Sequence, residues 1–114
     1  MKIVDKNWTV EIDDVEISID KNDFSFKYND EQQYFESVFN IIHGAPGEDG
    51  KLSSYFDLLG IKHNTSSTLA SSLTFNKIWC NKFLSTFGII VPKSLVFFKD
   101  EDNKLLYDQV TFPC

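Results

Sequence analysis

The hydrophobic pattern changes period twice along the chain. Trp8, Val10 and Ile12 alternate with Thr9 and Glu11, and beyond Asp13-Asp14 the residues Val15, Ile17 and Ile19 alternate with Glu16 and Ser18. Successive side chains of a strand point to opposite faces, so this is the pattern of a hairpin with one wet face. Asp-Asp is a poorer hairpin turn than Asn-Gly, so the pattern specifies the strands more firmly than the turn. A second pair, Phe24-Ser25-Phe26-Lys27-Tyr28 and Gln33-Tyr34-Phe35, flanks the polar Asn29-Asp30-Glu31. Then comes Val38-Phe39-Asn40-Ile41-Ile42. It is too short for an ordinary helix and lacks clean alternation, which suits a strand covered on both faces in a parallel sheet. The period next becomes helical: Leu52, Tyr55, Phe56 and Leu59, spaced three and four apart, predict a helix over residues 51–59 with one buried stripe. Asp49 stands where an N-cap belongs, and Gly60 offers a left-handed stop.

Residues 61–68 are polar and rich in Ser and Thr, a connection rather than an element. From 70 to 87 the set Leu73, Ile78, Phe83, Leu84 and Phe87, widened by Phe75 and Trp79, fits a helical stripe imperfectly, with Gly88 as its stop. Ile89-Ile90-Val91-Pro92 reads as a short extended piece with its proline at the edge, residues 94–99 as another strand, and 105–110 as a short helix. Thr111-Phe112-Pro113-Cys114 looks like the approach to a further strand. The expected class is α/β. A complete doubly wound domain should open with a strand and a helix, whereas this chain opens on exposed antiparallel ribbons, so an earlier strand and helix are expected to be missing.

With 114 residues, 42% of them hydrophobic and 11 of them Phe, the chain can fill one small core. Its formal charge of -6 argues against nucleic acid, which needs clustered cations against its phosphates. Every cation is a lysine, so the usual bidentate clamp for carboxylates and phosphoryl groups is absent. Cys80 and Cys114 have no metal or redox spacing and suit a reducing cytosol. Cys80, on a helix without a cationic cluster, reads as a small core residue. No signal peptide is visible, nor any apolar run near the roughly 18 residues a spanning helix needs.

The candidate chemistry lies in His43-Gly44-Ala45-Pro46-Gly47-Glu48-Asp49-Gly50. His43 would emerge at the carboxyl end of the buried strand, where open α/β sheets bind ligands. The glycines let the backbone take positive φ and approach a ligand, and Pro46 stiffens the turn. A lone histidine is ordinarily a loop side chain held by carbonyls; the strand end and the glycines favour a substrate role here. Glu48 and Asp49 resemble an acid-base pair, but negative charge at a helix start is favourable for its own sake, and capping is the simpler assignment for both. His63 has no third ligand at metal spacing and reads as a surface histidine. Tyr55 and Phe56 belong to packing. Lys77 alone is a solvated lysine, since one cation without a phosphate-cradling loop is a weak signal.

The loop from His43 to Gly50, then Tyr55-Phe56-Asp57-Leu58-Leu59-Gly60-Ile61, Ala70-Ser71-Ser72-Leu73-Thr74-Phe75-Asn76-Lys77 and Gly88-Ile89-Ile90-Val91-Pro92, resembles the first half of a D-alanine-D-alanine ligase, with these motifs in the family's order and spacing. The resemblance covers residues 38–92 closely. It implies an incomplete Rossmann-like (pre-ATP-grasp) sheet with helices, a β-hairpin excursion, and the opening of an ATP-grasp central domain. The implied division is 1–70 for the substrate-side domain, lacking its first strand and helix, and 71–114 for the truncated start of the central domain. In the family, ATP phosphorylates the carboxylate of one D-alanine and the amine of a second attacks the acyl phosphate, giving the dipeptide of cytoplasmic peptidoglycan synthesis. The resemblance implies that His43 and Gly44 bind the first D-alanine and that Lys77 reaches the nucleotide phosphates. ATP and Mg2+ serve the intact enzyme, and neither is expected to bind tightly to this chain. The family's amine-binding glutamate, transition-state arginine and magnesium carboxylates have no counterpart here, so no residue is assigned as catalytic or as a metal ligand. Lys62-His63-Asn64 replaces the usual proline, tyrosine and threonine, and Phe75-Asn76-Lys77 the commoner methionine, aspartate and lysine. A related ligase with another second substrate, and a non-catalytic module dimerising through bare strand edges, stay open. Neither nucleic acid nor membrane is an expected partner.

Overall fold

The computed structural model describes residues 1–96 and 99. Five strands, β1 (Lys2–Val4), β2 (Asn7–Ile12), β3 (Val15–Asp20), β4 (Ser25–Tyr28) and β5 (Glu31–Tyr34), form an antiparallel meander in chain order. Both expected hairpins are present, with Val10 opposite Ile17 and Phe26 opposite Gln33. β1 carries too few alternating positions to stand out in the sequence. Asp13 and Asp14 both take positive φ, 49° and 61°, as do Asn29 and Asp30, at 51° and 64°. That backbone matches the right-handed twist of the strands it joins, and Asp and Asn are the side chains that tolerate it best after glycine.

β6 (Ser37–Val38) and β7 (Lys62–His63) form a separate parallel pair, Ser37 opposite Lys62 and Val38 opposite His63. Between them lies α1 (Lys51–Leu59), with the bounds its hydrophobic stripe predicts. Gly60 closes it at φ 69°, its N–H donating to the Asp57 carbonyl while that of Ile61 reaches back to Phe56. α2 (Thr68–Phe75) follows, then α3 (Lys77–Thr86). The chain divides into two compact units between Phe75 and Asn76. The first holds both sheets, α1 and α2; the second holds α3.

The core of the first unit is shared by the meander and α1. Val10, Ile19, Phe24 and Phe26 from the sheet side and Leu52 and Phe56 from α1 are its buried apolar residues. Phe24 and Phe56 meet at 5.2 Å between ring centroids, and Trp8 meets Tyr55 at 5.3 Å, both edge to face. The ribbons are thus no excursion: they form the floor on which α1 lies.

Several expectations are corrected. Residues 38–42 are not a strand buried on both faces. Only Ser37 and Val38 join a ladder, and beyond them the chain alternates, with Phe39 78% and Ile41 74% exposed while Val38, Asn40 and Ile42 face inward. The connection over 61–68 contains β7 and the first residue of α2, because a strand of two residues leaves no periodic trace. The single helix over 70–87 is two helices. Asn76 leaves the helical region at φ -93°, ψ 98°, and its side-chain oxygen accepts the Trp79 N–H at 3.2 Å, capping α3. Gly88 at φ 75° follows Phe87 as the expected stop. Residues 94–96 and 99 carry no regular strand structure; residues 97 and 98, the helix over 105–110 and the final apolar run lie outside the described residues. Cys80 is half-buried on α3.

Asp14→Gly removes the left-handed strain of the β2–β3 turn while leaving the hydrogen bond from Tyr28 to Asp13 intact. Urea unfolding of this variant is expected to show a gain of roughly 0.5–1 kcal/mol.

Candidate functional site

The segment after β6, the loop entering α1, the segment leaving β7 and the outer part of α2 surround an open cleft of about 490 Å³. Its wall is mostly polar. Asn40, His43 and Glu48 come from the first two segments, Asn64 and Thr65 from the third, and Ser71 from the helix.

Two carboxamides hold the cleft together where the strand ladder ends. Asn64 Oδ1 accepts the Asn40 N–H at 2.7 Å and Asn64 Nδ2 donates to the Asn40 carbonyl at 3.2 Å, so a side chain completes the parallel pairing that backbone no longer supplies. Asn40 Nδ2 donates to the Gly47 carbonyl at 2.9 Å, and Asn40 Oδ1 accepts the Ile42 N–H at 3.1 Å. A polar group left unmet where the chain turns inward is costly, and these four contacts supply partners to the Asn40 backbone and side chain. Sequence reasoning passed over both residues. The available signal was Asn40 itself, a polar residue inside an apolar run, which must find a partner if it turns inward.

The glycine loop is shaped by its own contacts. Glu48 Oε2 accepts the Gly44 N–H at 2.6 Å, and the Glu48 N–H donates to the Gly44 carbonyl at 2.9 Å. Glu48 therefore closes the loop and does not cap α1, which corrects one expectation. Gly50 is the N-cap, at φ 90°, and Asp49 acts from one residue earlier, its Oδ1 accepting the Lys51 N–H at 3.1 Å. The ammonium of Lys51 also pairs with Asp49 and, with that backbone bond, holds its carboxyl below the usual range, against the opposing effect of burial. Gly47 is packed against Ile42, so that a Cβ there would collide with the Ile42 carbonyl, whereas Gly44, at φ 75°, has open space around it. The Ala45–Pro46 bond is cis.

The structure places His43 on the cleft wall with its side chain 98% exposed and Nδ1 3.7 Å from Glu48 Oε1. Gly44 is its neighbour on the same loop, but its N–H is already held by Glu48. Lys77 is the exposed first residue of α3, in the second compact unit. His63 is not a surface side chain. It is packed on Phe56 at 5.8 Å with both ring nitrogens in hydrogen bonds. Among the described residues no group of three His, Cys, Asp or Glu side chains is placed to hold a metal, and no helix is long and apolar enough to cross a membrane.

A helix linking two parallel strands, with a glycine loop at the first strand's carboxyl end over a polar cleft, makes this a mixed α/β fold, here built against an antiparallel sheet. No family model matches the chain. It is 49% identical over 89 residues to a D-alanine-D-alanine ligase of Porphyromonas gingivalis, covering 77% of this chain and 27% of that protein. A ligase of the same name from Phocaeicola vulgatus is 44% identical over 99 residues, 84% of this chain and 30% of the relative, and one from Bacteroides fragilis 35% identical over 115 residues, 96% and 35%. The crystal structure of a D-alanine-D-alanine ligase from Aeromonas hydrophila matches with a TM-score of 0.64 at 28% identity, covering 82% of this chain and 35% of that one. The chain is a stretch of D-alanine-D-alanine ligase family sequence, spanning about a third of the length of the relatives it matches.

Gly47→Ala is expected to destabilise the first unit by roughly 2–3 kcal/mol through collision with Ile42. Gly44→Ala should cost only about 1 kcal/mol, for its positive φ. Urea unfolding distinguishes them. Asp49→Ala should lose about 1 kcal/mol at neutral pH. A carboxyl with a lowered folded pKa contributes stability above its unfolded value and loses it as pH falls through the folded one. The gap between Asp49→Ala and wild type should therefore narrow in acid, which unfolding at about pH 3 would test.

Proposed function

We infer that this chain is part of an ATP-dependent D-alanine-D-alanine ligase, contributing one wall of the first D-alanine site. The observation that carries this reading is His43, presented with Gly44 on a glycine loop at the edge of a polar cleft, in a chain 49% identical to a ligase over most of its length. Residues 1–70 serve as the substrate-side domain, an incomplete Rossmann-like sheet with helices, and 71–114 as the start of the ATP-grasp central domain. The setting is cytoplasmic peptidoglycan synthesis.

In this reading the exposed His43 ring meets the amino acid, oriented from behind by Glu48, which also ties down Gly44. An exposed imidazole beside a carboxylate contributes little by charge alone, so its value is in placement. Lys77 contributes a cation toward the nucleotide phosphates. The described residues gather no metal-binding group, and a single exposed lysine does not make a nucleotide site, so they do not fit ATP and Mg2+ by themselves and no catalytic step is assigned to them. Phosphoryl and acyl transfer depend on several preorganised charges around the transition state, so the isolated chain should not turn over.

A second reading, a non-catalytic assembly or homodimer module, is favoured by the bare apolar face of Phe39 and Ile41 beside β6, which among the described residues pairs only with β7. Sedimentation that changes with concentration would support it.

Titration with D-alanine is expected to move the amide signals of His43 and Gly44 saturably, with His43→Ala weakening binding by roughly tenfold. A loop that stays unmoved would overturn the substrate-side assignment. A coupled assay with ATP and D-alanine should release no phosphate; release that survives purification and disappears in His43→Ala would overturn the predicted incompetence.

A further inference from the structure

His63 has no part in the reading above, yet its surroundings are more constrained than those of His43. It lies on β7 with 9% of its side chain exposed. Nε2 is 3.0 Å from Asp57 Oδ1 on α1, and Nδ1 is 2.6 Å from the Thr65 hydroxyl. Thr65 lines the cleft.

With the ring neutral and Asp57 ionised, the three groups leave one consistent arrangement of protons. An ionised carboxylate only accepts, so Asp57 requires a proton on Nε2. The neutral imidazole then has its lone pair on Nδ1, which likewise only accepts. Thr65 must give its single hydroxyl proton to Nδ1, and the oxygen keeps nothing to donate elsewhere. Its free lone-pair capacity is available only to a donor.

We propose that Asp57 and His63 form a polarity relay that fixes the Thr65 hydroxyl as a hydrogen-bond acceptor on the cleft wall, selecting a ligand N–H or O–H donor at that point. His63 is a positioning residue, acting through Thr65 and touching no ligand itself. The relay follows from the hydrogen-bond geometry of a neutral ring. That its ligand is an amino acid, with an ammonium as the donor, rests on the substrate-side reading above.

The test is nitrogen-15 NMR of the imidazole at about pH 8, where a neutral ring shows which nitrogen carries the proton. The Nε2–H form of His63 is expected to exceed the other by about tenfold, and Asp57→Asn, at an exposed side chain, to reduce that bias while amide dispersion shows the fold intact. A predominant Nδ1–H form in the wild type, or tautomer populations unmoved by Asp57→Asn, would overturn the relay. Thr65→Val should weaken D-alanine binding by roughly tenfold and Thr65→Ser restore it; wild-type binding by Thr65→Val would overturn the acceptor role. If the tautomer is as expected but D-alanine moves no cleft signal, the relay stands and the amino-acid reading fails.

Discussion

The contact between Phe56 of α1 and Phe24 of the meander fixes everything else in the first unit. Phe56 is 0% exposed, and Leu52 is buried beside it on the same helical stripe. Burying side chains of this size contributes about 1.5–3 kcal/mol each, against a net stability of only about 5–15 kcal/mol for a domain. The described core is small, so this packing has few substitutes. Its consequence reaches the cleft because α1 begins at the glycine loop and ends one turn before β7. Seating the helix on the sheet therefore sets the positions of both cleft walls.

Between those walls the parallel pairing is short, and polar side chains extend it. Asn64 replaces a backbone partner for Asn40, and Asn40 in turn ties the chain to Gly47. These bonds hold the chain in place beyond the ladder, across residues 40–47. They also divide the side chains of residues 39–43: Asn40 and Ile42 are drawn inward by the amide bonds and by packing with Gly47, and Phe39, Ile41 and His43 are left outside. The same geometry that exposes two apolar residues thus also delivers the histidine to the cleft.

The two histidines show how environment separates chemically identical side chains. His43 stands in water beside a carboxylate that is itself occupied with the loop backbone. His63 is enclosed between a carboxylate, a hydroxyl and a phenyl ring, with a hydrogen-bond partner at each ring nitrogen. The glycine loop marks the position of the first in the sequence; nothing in the residues around the second marks its setting.

Local pattern was enough to specify α1 to its bounds, its buried stripe, the Gly60 stop, and both hairpins, because each depends on residues within a turn or a pleat of one another. Around His43 the positive φ of Gly44 and Gly50 was legible because glycine tolerates it, whereas the closure of the loop by Glu48 was not. The sequence could not decide which residues of 38–42 join a sheet, that β7 exists, or that Asn76 separates two helices. Those outcomes depend on partners distant along the chain or on a polar side chain choosing a backbone group over solvent. The cleft itself belongs to that second kind: Asn40 and Asn64 stand 24 residues apart along the chain, and no periodicity records a hydrogen bond made across that distance.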